Sequence, residues 1–263
     1  MNILTLNCHA WLEDRQQEKI DSIVERIASE EYDIIALQEV NQHKEAPLID
    51  GLIRENNFAY VLVERLKEQG VDYYMTWDFA HYGYDIYEEG VAILSRTPFV
   101  STESFFVSQT TDPNDYKSRK IVKAVVDGMD APTAIYSCHL GWWHDADEPV
   151  RHQLDELLRR VEDDDRALLL GDFNNDAFIR GEGYDYLIEH GLQDLFHLAT
   201  EREGDATVQG KIAGWDENKQ ALRIDLMLTN APIHVSRHAV VFDGENGPIV
   251  SDHAGVEATA FWR

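Results

Sequence analysis

Cysteine is almost missing from this chain, with Cys8 and Cys138 the only two in 263 residues. That is too few for the disulfide frameworks that hold small secreted domains together. Each follows or precedes a polar residue (Asn7, His139) at the end of an apolar run, and a packed, unreactive thiol is the expected state of both. No apolar run approaches the roughly 20 residues that cross a bilayer, so no membrane span is expected. The opening MNILTLNCHAW lacks a basic region and a small-residue cleavage site, which argues against a signal peptide and for a cytoplasmic protein. No linker, repeat or low-complexity stretch interrupts the chain, and a single domain over residues 1–263 is expected.

Positive charge is also scarce. Lys and Arg number 23 against 49 Asp and Glu, a formal charge of −26, and no four basic residues cluster. Duplex DNA carries about one negative charge per 1.7 Å of axis, and proteins that grip it offer Lys and Arg to many phosphates. The long-range field of this chain repels nucleic acid and anionic membranes, so neither is an expected partner. The one local basic group, Arg119, Lys120 and Lys123 in SRKIVKAVV, suffices for a single terminal phosphate.

Apolar residues make up 44% of the chain, ample for a buried core. Period-two runs predict strands at 3–7, 34–38, 60–66, 91–94, 104–107, 121–126, 133–139, 167–170, 223–228, 234–240 and 256–262. Helical spacing of Ile20, Ile23, Val24 and Ile27 predicts a helix over 13–29. Val150, Leu154, Leu157, Leu158 and Val161 predict another over 148–161, and a shorter one covers 183–190. Such a chain is accommodated by two sheets packed face to face with helices outside, an α/β sandwich.

Polar residues recur where apolar strands end, which is where a rigid strand can hold a side chain at a rim. Asn7 ends ILTLN, Glu39 ends DIIALQE and His139 ends AIYSCH. Asp172 and Asn174 follow ALLLG, Asp225 lies in RIDLMLT, and Asp252 and His253 precede the last strand. Each alone has an ordinary structural explanation, as a turn former, a surface charge or a satisfied imidazole. Together they form a set of hard oxygen ligands without thiolates, which suits Mg²⁺ or Mn²⁺ rather than structural zinc. Two histidines with carboxylate partners, and an aspartate beside an asparagine, are the parts that metal-assisted attack of water on phosphorus needs.

LTLN at 4–7, LQE at 37–39, EGVAILSR at 89–96, CHL at 138–140, GDFN at 171–174, IDLML at 224–228 and SDH at 251–253 occur in this order. In these motifs the chain resembles the endonuclease/exonuclease/phosphatase (DNase I-like) superfamily over essentially its whole length. The resemblance implies a four-layer αββα sandwich with two mostly antiparallel sheets, and hydrolysis of phosphoric esters. Glu39 would be the principal metal ligand, supported by Asn7, and Asp252 would bind a second metal or hold the site together. Asp172 would activate water and Asn174 position it. His253, oriented by Asp225, and His139 would contact the phosphate, with Glu89 (or Glu88) pairing with His139. His9 stands where abasic-site endonucleases carry an aspartate, which weakens that branch.

Three expected loops are crowded with aromatic residues, 9–11, 77–87 and the GWWH of 141–144. Flat faces with polar edges suit a sugar ring or a base, and half of them serve equally well as packing under loops. With little basic surface, a small phosphorylated sugar is the expected substrate, contacted by Arg119, Tyr84 and one of the adjacent Trp142 and Trp143. The pattern also resembles the maltose 6'-phosphate phosphatases. A DNase-like phosphodiesterase and an inactive binding module of the same fold are the competing readings.

Overall fold

Successive strand side chains point to opposite faces, and in the computed structural model, which describes residues 1–127 and 131–262, this sorting builds four layers. In the strand Asn2–Asn7, Leu4 and Leu6 pack outward beneath helices while Ile3 packs against a second sheet. In Ala167–Asp172, Ala167 and Leu169 point outward and Leu168 and Leu170 inward. The inner apolar layer also takes Ile34, Ala36, Ile135, Met227 and Val256.

One sheet has seven strands, in the order Ala199–Glu203, Ile233–Val241, Gly255–Trp262, Asn2–Asn7, Ile34–His43, Tyr87–Ser95 and Tyr74–Gly83. The other has six, in the order Gln193–Asp194, Asp225–Thr229, Ala167–Asp172, Pro132–His139, Lys120–Asp127 and Phe99–Phe106. Each has a parallel pair at its centre, Asn2–Asn7 with Ile34–His43 and Pro132–His139 with Ala167–Asp172. A parallel pair needs a crossover. The helices Gln16–Glu30 and Val150–Val161 supply them, burying Ile20, Ile23, Val24 and Ile27 in one case and Val150, Leu154, Leu157 and Val161 in the other. Each such branched side chain contributes about 1.5–3 kcal/mol on burial. The expected αββα sandwich is the architecture found.

Two sequence expectations fail. Residues 60–66, read as a strand, lie in the helix Phe58–Glu68. Asn57 caps it by accepting from the Tyr60 amide (3.1 Å), and Phe58, Ala59, Leu62 and Leu66 make its buried stripe. The aromatic stretch 77–87, read as a loop, is the end of strand Tyr74–Gly83 and the start of Tyr87–Ser95, joined by a short turn in which Tyr84 and Asp85 take positive φ.

Below the rim the two sheets are pinned by polar contacts. The Thr5 hydroxyl donates to Gln38 Oε1 (3.3 Å), Gln38 Nε2 donates to Ser137 Oγ (3.1 Å), and Ser137 Oγ donates to the Leu37 carbonyl (3.1 Å). All of these residues are buried, so the contacts fix sheet on sheet directly under the site.

Candidate active site

The inward alternation that buries Ile3, Ile135, Leu168, Leu170 and Met227 continues to Asn7, His139, Asp172 and Asp225 at one end of the sandwich. Register brings them side by side: Asp172 is paired with His139 on one flank and with Asp225 on the other. Asn7 bridges across the sheets, its Nδ2 donating to Glu39 Oε1 (2.9 Å) and Asp172 Oδ2 (3.0 Å).

Glu39 arrives differently. After Gln38 the alternation would send it to the helix side. Its φ of 48° and a register shift between Leu37 and Val40 turn it into the cleft instead. Asn174 (φ 49°) and His9 (φ 42°) are also in the left-handed region that side chains disfavour. With Tyr84 (φ 50°), four such residues at one cleft are backbone strain held by a rigid frame.

The two site histidines are in opposite states. His253 donates Nδ1–H to Asp225 Oδ2 (2.9 Å), and its Nε2 lies 3.8 Å from Asp172 Oδ2. Burial alone would lower its pKa, but the Asp225 and Asp172 carboxylates outweigh burial and raise it to about 10, so it is an imidazolium. Burial and the Arg119 guanidinium push His139 well below the ordinary range, so it is neutral. Its Nδ1 faces Arg119 Nη1 at 3.4 Å and accepts, which places the proton on Nε2. That Nε2 lies 3.7 Å from Asp172 Oδ2 and 3.9 Å from Glu39 Oε1.

The carboxylates feel the crowding. Burial first, then repulsion from Glu89 and Asp252, raises Glu39 to about 7. Asp172 is raised to about 6, again first by burial. Asn174 holds Asp172 by its backbone N–H to Oδ1 (2.9 Å).

An open cleft of about 610 Å³ lies over this group. Of the residues expected at the site, Glu39, His139, Asp172, Asn174, Asp252 and His253 line it, as do Glu89, Arg119, Tyr84 and Trp142. Asn7 lies beneath the two carboxylates it bridges, and Asp225 behind His253. Two expectations are corrected. Glu89 pairs with His81 Nε2 (3.2 Å) rather than with His139, whose outer nitrogen is taken by Arg119. Glu88 is engaged elsewhere, by Arg54 Nε (2.8 Å) and Gln42 (2.7 Å). Trp143 points away from the cleft and packs beside Tyr186 at 6.3 Å on the outer layer, where the chain turns after Trp142.

Sequence reasoning missed His81 and Trp215. His81 is a lone histidine in an aromatic strand and carries no spacing signal. Trp215 sits in an irregular segment, yet its indole N–H donates to Asn174 Oδ1 (3.0 Å). Both cysteines are buried beside the site, and burial raises their pKa values, as expected of inert thiols.

The site suits a divalent cation. Glu39 and Asp172 bring carboxylate oxygens to within 4.8 Å of one another, with His139 beside them. Among the described residues neither carboxylate is ion-paired with a lysine or arginine; Asn7 donates a hydrogen bond to each, and the His253 imidazolium stands beside Asp172.

The chain matches the Endonuclease/Exonuclease/phosphatase family over residues 4–253. An endonuclease/exonuclease/phosphatase family protein from Leptotrichia buccalis is 35% identical, with a TM-score of 0.92 over 100% of both chains. The fold is shared with a mannosyl-6-phosphatase from Bacteroides thetaiotaomicron (18% identity, TM-score 0.68, 100% of both chains). It is shared also with D. rerio TDP2 complexed with single strand DNA product (16%, TM-score 0.66, 99% of this chain and 98% of that one). No curated protein matches the chain significantly in sequence.

Proposed function

Because the chain belongs to the endonuclease/exonuclease/phosphatase family, we propose that it is a Mg²⁺-dependent phosphatase, acting as one catalytic domain, that releases phosphate from a small phosphorylated sugar such as maltose 6'-phosphate. The observation that carries the chemistry is the placing of Asp172 Oδ2 between a charged imidazole (His253, 3.8 Å) and a neutral one (His139, 3.7 Å).

In this reading Asp172, raised to about 6, is the base that takes a proton from the attacking water. Asn174 holds that water in line. The His253 imidazolium, kept charged by Asp225, faces the phosphoryl oxygens and stabilises the charge they gain. His139 donates from Nε2 to the same group. Glu39 and Asn7 would hold the metal, with Asp252 beside them. Mg²⁺ supplies Lewis-acid polarisation of the phosphoryl oxygens when bound there.

Two features support a sugar over a nucleic acid. The cleft is walled by Tyr84, Tyr116 and Trp142, with Arg119 the one arginine or lysine among its lining residues. The formal charge of −26 opposes a polyanionic strand. The same fold serves a mannosyl-6-phosphatase.

A phosphate-release screen over sugar phosphates, nucleotides and plasmid DNA, with Mg²⁺, Mn²⁺ and EDTA arms, tests the proposal. Release from a sugar monoester that EDTA abolishes is expected. Nicked plasmid without release from any sugar phosphate would overturn it.

A further inference from the structure

The segment 210–216 joins the strands Val208–Gln209 and Ala221–Leu222 and borders the cleft. Ile212, Ala213, Gly214 and Asp216 line the cleft. Gly214 has φ +80° and lies so close to Trp142 that a Cβ there would come within 2.2 Å of the ring. Trp142 in turn has the Arg119 guanidinium 5.5 Å from its ring centre, and Arg119 faces His139. Trp215 is seated by its own small cluster: with Ile212 it packs on Val208, Leu222 and Ile224, around a two-stranded ribbon of Val208–Gln209 and Ala221–Leu222. From that seat its indole N–H reaches Asn174 Oδ1 at 3.0 Å.

A carboxamide has a donor end and an acceptor end, and what each touches decides which way it lies. The Asn174 oxygen is taken by Trp215. Its nitrogen donates to the Leu140 carbonyl (3.0 Å) and reaches Asp172 Oδ2 (3.5 Å). Turned over, the amide would set its oxygen against the Leu140 carbonyl and the Asp172 carboxylate, while the Trp215 N–H would lose its acceptor. Indole nitrogen is a donor only, so Trp215 can satisfy one orientation and not the other.

We propose that Trp215 is a positioning residue for hydrolysis: its indole N–H locks the Asn174 carboxamide with its NH₂ end toward Asp172, and the seat of Gly214 on Trp142 holds the segment that delivers it. The inference rests on the phosphatase reading of the same site. It adds a requirement for this tryptophan that the cleft's metal and histidine groups do not impose.

Trp215→Phe keeps an aromatic ring on the Val208–Leu222–Ile224 cluster and removes the donor. With Mg²⁺ and p-nitrophenyl phosphate, kcat should fall about tenfold with KM changed by less than about twofold, the scale of one lost hydrogen bond acting on the transition state. In an Asn174→Ala background the same substitution should cost nothing further. A purely structural tryptophan would lose activity equally in both backgrounds, and that result, or an unchanged kcat, overturns the proposal. A second measurement is independent of turnover. In the ¹⁵N-labelled protein, the indole N–H resonance that Trp215→Phe deletes should shift in Asn174→Ala, and a resonance that stays in place overturns the contact. If the unmutated protein hydrolyses no phosphate ester, the functional reading fails and the role in hydrolysis with it, while the resonance still decides the Trp215–Asn174 contact.

Discussion

His253 has its charge because Asp225 stands behind it, and that one carboxylate does two jobs. It accepts the Nδ1–H of a buried imidazole and stabilises its positive charge, and it fixes the ring so that Nε2 faces Asp172. Among the described residues Asp225 Oδ1 is buried without a hydrogen-bond partner, so little else compensates its charge. Asp225→Asn is nearly equal in volume but neutral. Burial would then be opposed mainly by Asp172, and the His253 pKa should drop well below about 10. We expect kcat to fall by about 10²-fold or more, the usual scale for a disabled acid–base or charge-stabilising group. Imidazole NMR titration checks the pKa and steady-state kinetics the rate. Loss of activity with His253 still titrating near 10 would break the link between them.

At the scale of elements, legibility depended on whether a residue's role follows from its own strand. Asn7, His139 and Asp172 end their strands, Asp225 opens its own, and all keep the inward phase of the apolar runs beside them, so periodicity and position together expose them. Glu39 was found by its place after DIIALQ, although its inward aim depends on a bulge that no pattern predicts. The pairing of Glu89 was misread because partners across sheets depend on register: His81 sits opposite Glu89 in the adjoining strand, whereas His139 lies in the other sheet. The helix Phe58–Glu68 was read as a strand because Tyr60–Leu66 alternates locally. The cap at Asn57 and the spacing of Phe58, Leu62 and Leu66 carried the opposing signal. The pair Trp142 and Trp143 shows what an element decides. One lines the cleft and the other packs on the outer layer. Trp142→Ala should raise KM for the sugar phosphate about tenfold, while Trp143→Ala should leave KM alone and lower stability by about 2–3 kcal/mol. Paired kinetics and urea melts distinguish them, and exchanged phenotypes would reverse the assignment.

For the molecule as a whole, acidity and a buried histidine set how stability follows pH. His238 lies inside the seven-stranded sheet, against the Phe196 ring at 5.3 Å, and its Nδ1 has no partner among the described residues. Burial lowers its pKa from 6.5 to about 4, with the nearby Asp194 and Arg223 charges acting in opposite directions. In the unfolded chain this histidine takes up a proton as pH falls through 6.5, but in the folded protein it does not until about 4. The unfolded state therefore binds more protons across that window, and stability falls as pH is lowered through it. A shift of this size corresponds to about 3 kcal/mol in full, of which about 2 kcal/mol is already lost by pH 5. Asp172 and Glu39 are raised rather than lowered, so their own protonation favours the folded state in the same range and masks part of the effect. Comparison with His238→Leu removes that masking, since both proteins carry the same site carboxylates. Urea midpoints converted to free energy at pH 7 and pH 5 should fall more for the unmutated protein than for the variant, by about 2 kcal/mol. Equal pH dependence in the two would mean that His238 is protonated in the fold, and that the neutral, buried state assigned to it is wrong.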